Sequence, residues 1–162
     1  MHQLIYALVQ ASTEEQALQD AHCVFDRLVG CRPEATPVFD YYVTFDDRSS
    51  RCAGPARWGD LPVAVPAGSP RGAELIERGW KDTLNQFERN LGIVQDAIAQ
   101  YSTEEIMQDT DLVRHAFYNV GRYQGPTIAL YDGHGCGIRH RRQLNSVLER
   151  ENIWVVPADV HY

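Results

Sequence analysis

The chain has 162 residues, 44% of them hydrophobic and 23% charged, and a formal charge of −7. That length suits one hydrophobic core and is short for two, and the composition excludes a disordered or collagen-like chain. The acidic balance disfavours bulk attachment to nucleic acid or to an anionic membrane.

No apolar run approaches the roughly 20 residues that cross a bilayer, and the first residues lack the basic flank of a secretory signal. The expectation is a cytoplasmic protein with no membrane partner. Four cysteines (Cys23, Cys31, Cys52 and Cys136) form no CxxC pair, so free thiols are expected rather than a zinc ribbon or disulfide framework. Lys81 is the single lysine against 14 arginines, a bias that resembles proteins of GC-rich genomes. Nothing in the pattern calls for a cofactor.

Residues 3–11 are almost wholly apolar on both alternating faces, as in a central strand covered on both sides. Ser12-Thr13-Glu14-Glu15 reads as a capping box with Ser12 at the cap. The helix it opens runs to about Val29, with Leu18, Ala21, Phe25 and Leu28 inward and Gly30 as its stop. After Pro33 and Pro37, Phe39, Tyr41, Val43 and Phe45 alternate with polar residues and predict a half-wet strand. The Pro- and Gly-rich stretch from Asp46 to Pro70 reads as a long ordered loop with Trp58 as its packing anchor.

Ser69-Pro70 is a helix start. From there Trp80, Leu84, Phe87, Leu91, Val94 and Ile98 recur at spacings of 4, 3, 4, 3 and 4, the pattern of a two-stranded helical seam. A second capping box at Ser102 to Glu105 opens the return segment, with Leu112, Val113, Ala116, Phe117 and Val120 as the partner face. The last third predicts a strand over 127–131, a glycine-rich turn, a helix near 139–149 with Leu144, Val147 and Leu148 inward, and a final strand over 153–156. Pro157 places that last strand at a sheet edge, where a missing amide costs least.

This order, βαβ, helical hairpin, βαβ, resembles a ferredoxin-like α+β sandwich: one domain over 1–162 with residues 46–126 inserted between its second and third strands. The resemblance implies a four-stranded, mostly antiparallel sheet with the third strand between the first and second and the last strand at an edge. The doubly apolar first strand further requires cover on the second sheet face, from the inserted hairpin or from another subunit.

The local anomaly is the run Asp132-Gly133-His134-Gly135-Cys136-Gly137-Ile138-Arg139-His140-Arg141-Arg142. Within this acidic chain, residues 134–142 hold three arginines, two histidines and no carboxylate. Arginines at a helix start oppose the positive end of its dipole, at about 0.3–1 kcal/mol each when exposed. One offset is a bound phosphate-bearing anion, held by the amides of Gly133, His134, Gly135 and Gly137 and by Arg139 and Arg142. The other is a tight turn whose arginines pair within the fold. The run has neither a dinucleotide fingerprint nor a GxxxxGK[ST] loop.

Cys136 and Arg142 stand at C-x5-R spacing, which resembles the phosphate loop of cysteine-dependent phosphatases. That resemblance implies Cys136 as nucleophile, Arg142 as oxyanion clamp and Asp132 or Asp60 as general acid. Gln143 replaces the usual hydroxyl residue after the arginine, and the internal glycine is absent. A metal reading takes His134, Cys136 and His140 as ligands, supported by His115 or His161. His22 falls at a core edge, and His161 and Tyr162 read as a frayed end. A further alternative is a nucleic-acid contact through Arg139, Arg141 and Arg142.

The leading expectation is a non-enzymatic binding or assembly module that self-associates or takes a protein partner, with an anionic ligand at the 133–142 turn. A phosphohydrolase using Cys136 and Arg142 is the alternative.

Overall fold

The computed structural model describes residues 1–31 and 36–162; Pro33 lies outside them. The chain forms an α+β structure around an open, mixed five-stranded sheet. Strands β1 (His2–Gln10), β2 (Tyr41–Thr44), β3 (Val65–Pro66), β4 (Leu130–Asp132) and β5 (Ile153–His161) lie among six helices. These are α1 (Glu14–Leu28), α2 (Pro55–Trp58), α3 (Pro70–Gln100), α4 (Thr103–Gln108), α5 (Asp111–Gly121) and α6 (Arg141–Leu148).

The strand order is β2-β5-β1-β4, with β3 also on β5. This corrects the ferredoxin-like order. The 41–44 strand lies beside the last strand, far from β4, and β4 runs parallel to β1. The last strand is therefore central and twice as long as its apolar run suggested. It pairs with β1 from Gln10↔Ile153 to His2↔His161, passing straight through Pro157.

Pro157 is tolerated there because Tyr6, its partner on β1, donates its amide to the carbonyl of Ala129, just before β4, so Pro157 nitrogen faces away from β1. On that other side β2 pairs residues 158–161 and β3 pairs 154 and 155, which leaves the proline in the gap between them. The missing donor falls where no acceptor waits.

One sheet face packs Ile5, Ala7, Val9, Ile128, Val156 and Ala158 against Ala17, Ala21, Val24, Phe25 and Leu28 of α1. The other packs Leu4, Tyr6, Leu8, Leu130 and Val155 against Leu75 and Ile76 of α3 and Leu144 and Val147 of α6. α1 and α6 thus lie on opposite faces, whereas a ferredoxin-like sandwich sets both on one. The second face of β1 is covered by the inserted hairpin of the same chain.

Local signals were read with shifts of one residue. The α1 cap is Thr13, whose hydroxyl accepts from Gln16 nitrogen at 3.2 Å, while Gln16 Oε1 takes the Ser12 amide. In β2, Phe39 precedes the strand and Tyr42 faces the α1 side with it, so Tyr41 is exposed rather than buried beside Phe39. The Ser69 and Ser102 caps form as expected. The return segment is two helices, α4 and α5, broken at Asp109 and Thr110.

α3 spans 31 residues and does two jobs. Its first half presses on the sheet at Gly79, where a Cβ would meet Tyr6 and Leu130 carbons at 2.8 Å. Its second half meets α5 through Val94, Ala97, Val113 and Ala116. The buried face of α3 runs through Gly72, Leu75, Ile76, Gly79, Thr83, Asn90, Val94 and Ala97. The apolar seam expected from heptad spacing lies one position to its side. Leu84, Leu91 and Ile98 are 44%, 45% and 63% exposed. Glycine and threonine take the inner face at 79 and 83 because the helix sits too close to Tyr6 and Leu130 there for a large side chain.

Thr83 ties α3 to the residue that leads into β4. Its hydroxyl accepts from the Ala129 amide at 3.0 Å and donates to the Gly79 carbonyl at 2.9 Å, both buried. Thr83→Val preserves shape but strands the Ala129 amide, so urea unfolding should show a loss of about 1–3 kcal/mol, with Thr83→Ser much milder.

Candidate functional site

The glycine run after β4 folds as a hairpin-like turn closed by the Tyr131–Gly137 bridge. Gly135 takes φ +76°, a region open to glycine, and donates its amide to the Asp132 carbonyl at 2.9 Å. Gly137 must be glycine for a different reason: a Cβ there would lie 2.1 Å from the Tyr123 carbonyl oxygen.

Of the amides expected to hold a phosphate, those of His134, Gly135 and Gly137 are engaged inside the protein. Asp132 Oδ1 accepts from His134 nitrogen at 2.9 Å and from Cys136 nitrogen at 3.0 Å. Gly137 donates to Tyr123, Ile138 to Leu130 and Arg139 to the Gln143 side chain. The turn does cradle an anion, and that anion is the carboxylate of its own Asp132. Gln124 Nε2 at 2.6 Å holds the Gly135 carbonyl, and Arg27 holds that of His134.

Two of the three arginines are likewise partnered. Arg139 donates to the Val120 and Gly121 carbonyls at 2.7 and 3.3 Å, neutralising the negative end of α5, and its guanidinium lies over the Tyr123 and Phe87 rings. Arg141 bonds both Glu77 oxygens at 2.8 and 2.9 Å and covers the Trp80 ring. Arg142 is exposed on α6, with no ion pair among the described residues. His140 caps α6, its Nδ1 accepting from Gln143 nitrogen at 3.1 Å. The dipole repulsion read from the sequence is thus offset by the α5 carbonyls and by Glu77.

The same geometry runs against thiolate chemistry at Cys136. Burial and then the Asp132 carboxylate push its thiol pKa up, with Arg27 opposing them, whereas a nucleophilic cysteine needs it lowered. Asp60 is exposed and paired with Arg48 at 2.5 Å. Among the described residues no three of His, Cys, Asp and Glu converge as a metal set, so His134, Cys136 and His140 are not brought together as ligands. Trp58 packs on the second-face core as expected of an anchor, and His22 sits at the core edge on the Tyr42 hydroxyl.

Two features escaped the sequence. The first is a polar cluster at the end of the sheet where β1, β2 and β5 meet. Asp159 is fully buried; both its oxygens lie 3.1 Å from His2 Nδ1, and Oδ2 accepts the Gly54 amide at 2.8 Å. His2 Nε2 lies 3.4 Å from the Tyr41 hydroxyl, and Tyr41 stacks flat on His161, whose Nδ1 is 2.8 Å from Asp40 Oδ2. A buried carboxylate thereby orients an imidazole and ties the α2 loop to the sheet. His2 and Asp159 are 157 positions apart, so only the lone acid within apolar 153–160 pointed to them.

The second is a cleft of about 490 Å³ beside this cluster, between the start of β1, Trp58 of α2 and the flank of α3. Gln3, Arg78, Asp82, Asn85 and Arg89 line it, with His2 at one wall. Burial pushes the Asp82 carboxyl pKa up, against the Arg78 and Lys81 charges. Behind the cleft, burial pushes the Tyr6 hydroxyl up to about 12.

Because the Cys136 pKa is raised, its thiolate fraction at pH 8 is smaller than that of an unhindered thiol. Iodoacetamide should therefore alkylate Cys136 more slowly than free cysteine, read by mass spectrometry of the digested protein. Asp132→Asn removes the adjacent negative charge and should speed the reaction.

No curated protein and no solved structure matches the chain. The family model described as Domain of unknown function (DUF7995) matches it over residues 1–162, and the chain belongs to that family.

Proposed function

We propose that this chain is a binding and assembly module that pairs with a second copy of itself through the uncovered stripe of α3. The observation that carries the reading is where the large apolar side chains remain in water. Of the eleven exposed ones among the described residues, nine fall between Leu84 and Tyr123, on the helical hairpin. Scattered exposure needs no explanation, but concentration on one element marks a contact surface.

Heptad spacing argues for a helix as the occupant and a second copy as its source. Leu84, Leu91 and Ile98 repeat every seven residues, beside half-buried Trp80 and Phe87. α5 packs on the neighbouring face through Val113 and Ala116 and leaves this stripe open. On its outer flank stand exposed Lys81 and Glu88. In an antiparallel pair about a two-fold axis at Leu91, Leu84 of each copy meets Ile98 of the other, so the stripe complements itself in shape.

A cytosolic setting belongs to the same reading. Cys23, Cys31, Cys52 and Cys136 are exposed free thiols, which suits a reducing compartment. No helix among the described residues is long and apolar enough to cross a membrane.

Light scattering should give a mass twice that of the chain. Replacing Leu84 and Leu91 together by glutamate should give a monomer with unchanged helical circular dichroism, because both side chains are exposed. A wild type that stays monomeric at about 100 μM, where even a weak micromolar dimer is populated, overturns the reading; so does a glutamate variant that still dimerises.

A further inference from the structure

From the cleft between β1 and α3 we infer a ligand site for a small organic anion, carboxylate- or phosphate-bearing, with a flat apolar body. The site is separate from the α3 stripe and from the 133–142 turn. Its volume, about 490 Å³, lies within the range of small-molecule pockets.

The first argument is hydrogen-bond accounting. Among the described residues, three buried side-chain polar atoms lack a partner: Gln3 Oε1, Tyr6 OH and Trp58 Nε1. Gln3 and Trp58 line the cleft, and Tyr6 lies behind it, its hydroxyl within the electrostatic reach of Arg78 and Asp82. Each unpaired buried group costs about 1–3 kcal/mol. Where the other buried side chains among the described residues are satisfied, unmatched atoms on two residues of one opening and on a third behind it mark a polar site completed from outside. Side-chain adjustments of the kind common on binding bring such atoms to a ligand.

Charge sets the ligand's sign. Arg78 and Arg89 both project into the cleft from α3, three helical turns apart, and neither has a carboxylate partner among the described residues. Asp82 is the one acidic side chain among the lining residues, so a single carboxylate faces two guanidinium groups. In a chain of net charge −7, a cavity that two guanidinium groups face against one carboxylate is a site for carboxylate or phosphate oxygens. Asn85 adds an amide, and the Trp58 indole with Leu4 gives an apolar wall for a flat ring.

The Trp58 indole proton reports directly on the site. In ¹⁵N-labelled full-length protein, adenosine 5′-monophosphate and benzoate serve as phosphate and carboxylate probes, and adenosine as the uncharged control. The Trp58 Nε1–H resonance should move on titration with one or both anions. That of Trp154, already bonded to the Ala11 carbonyl at 2.9 Å, should stay still. Arg78→Ala and Arg89→Ala, both at exposed positions, should each weaken binding about tenfold or more, the loss of one charged hydrogen bond. The inference falls if neither anion moves the Trp58 resonance up to about 10 mM, a concentration that detects millimolar affinity. It falls equally if adenosine binds as well as its monophosphate, or if affinity survives both arginine substitutions.

Discussion

The continuous pairing of β1 with β5 is the interaction on which the rest of the molecule hangs. Nine registered pairs join the two ends of the chain, and both other strands of the β5 side attach to the same strand, β2 at one end and β3 at the other. Once β5 is central, both faces of β1 must be covered, and the insertion between β2 and β4 supplies the second cover. The same register sets His2 opposite His161 and brings buried Asp159 within reach of the His2 imidazole.

Covering the second face imposes a close approach, and that approach decides what α3 looks like. A helix pressed on Tyr6 and Leu130 has room for Gly79 and Thr83 on its inner side, not for leucine. The large residues of the heptad are displaced to the flank and remain in water. The Thr83 hydroxyl then holds the residue leading into β4, and Arg139 and Arg141 reach across from the start of α6 to the hairpin. Arginines that look like ligand clamps in the sequence are therefore braces that join the last βα segment to α3 and α5.

Much of the local structure was legible because its causes are local. The Ser69-Pro70 start, the Ser102 capping box and the doubly apolar first strand depend on neighbours within a few residues. The Gly137 requirement, by contrast, comes from the Tyr123 carbonyl passing over it. The anion of the glycine turn proved to be Asp132, which stood in the sequence as a candidate general acid. Both partners of that contact were in view, but spacing alone does not distinguish a carboxylate that fills a nest from one that leaves it open. The cleft was invisible, since Gln3, Trp58 and Arg78 come from three segments that share no periodic signal.

Sequence by itself determined an acidic α+β chain with its first, longest and last helices, a strand apolar on both faces and a hairpin that carries a heptad stripe. Those properties follow from side-chain periodicity and cap chemistry, which act over one or two turns. Tertiary structure alone decided that β5 lies inside the sheet, that the heptad stripe faces water and that two arginines gather at one cleft. Each of these depends on which strand edges meet, and pairing between residues 150 positions apart leaves no trace in local spacing.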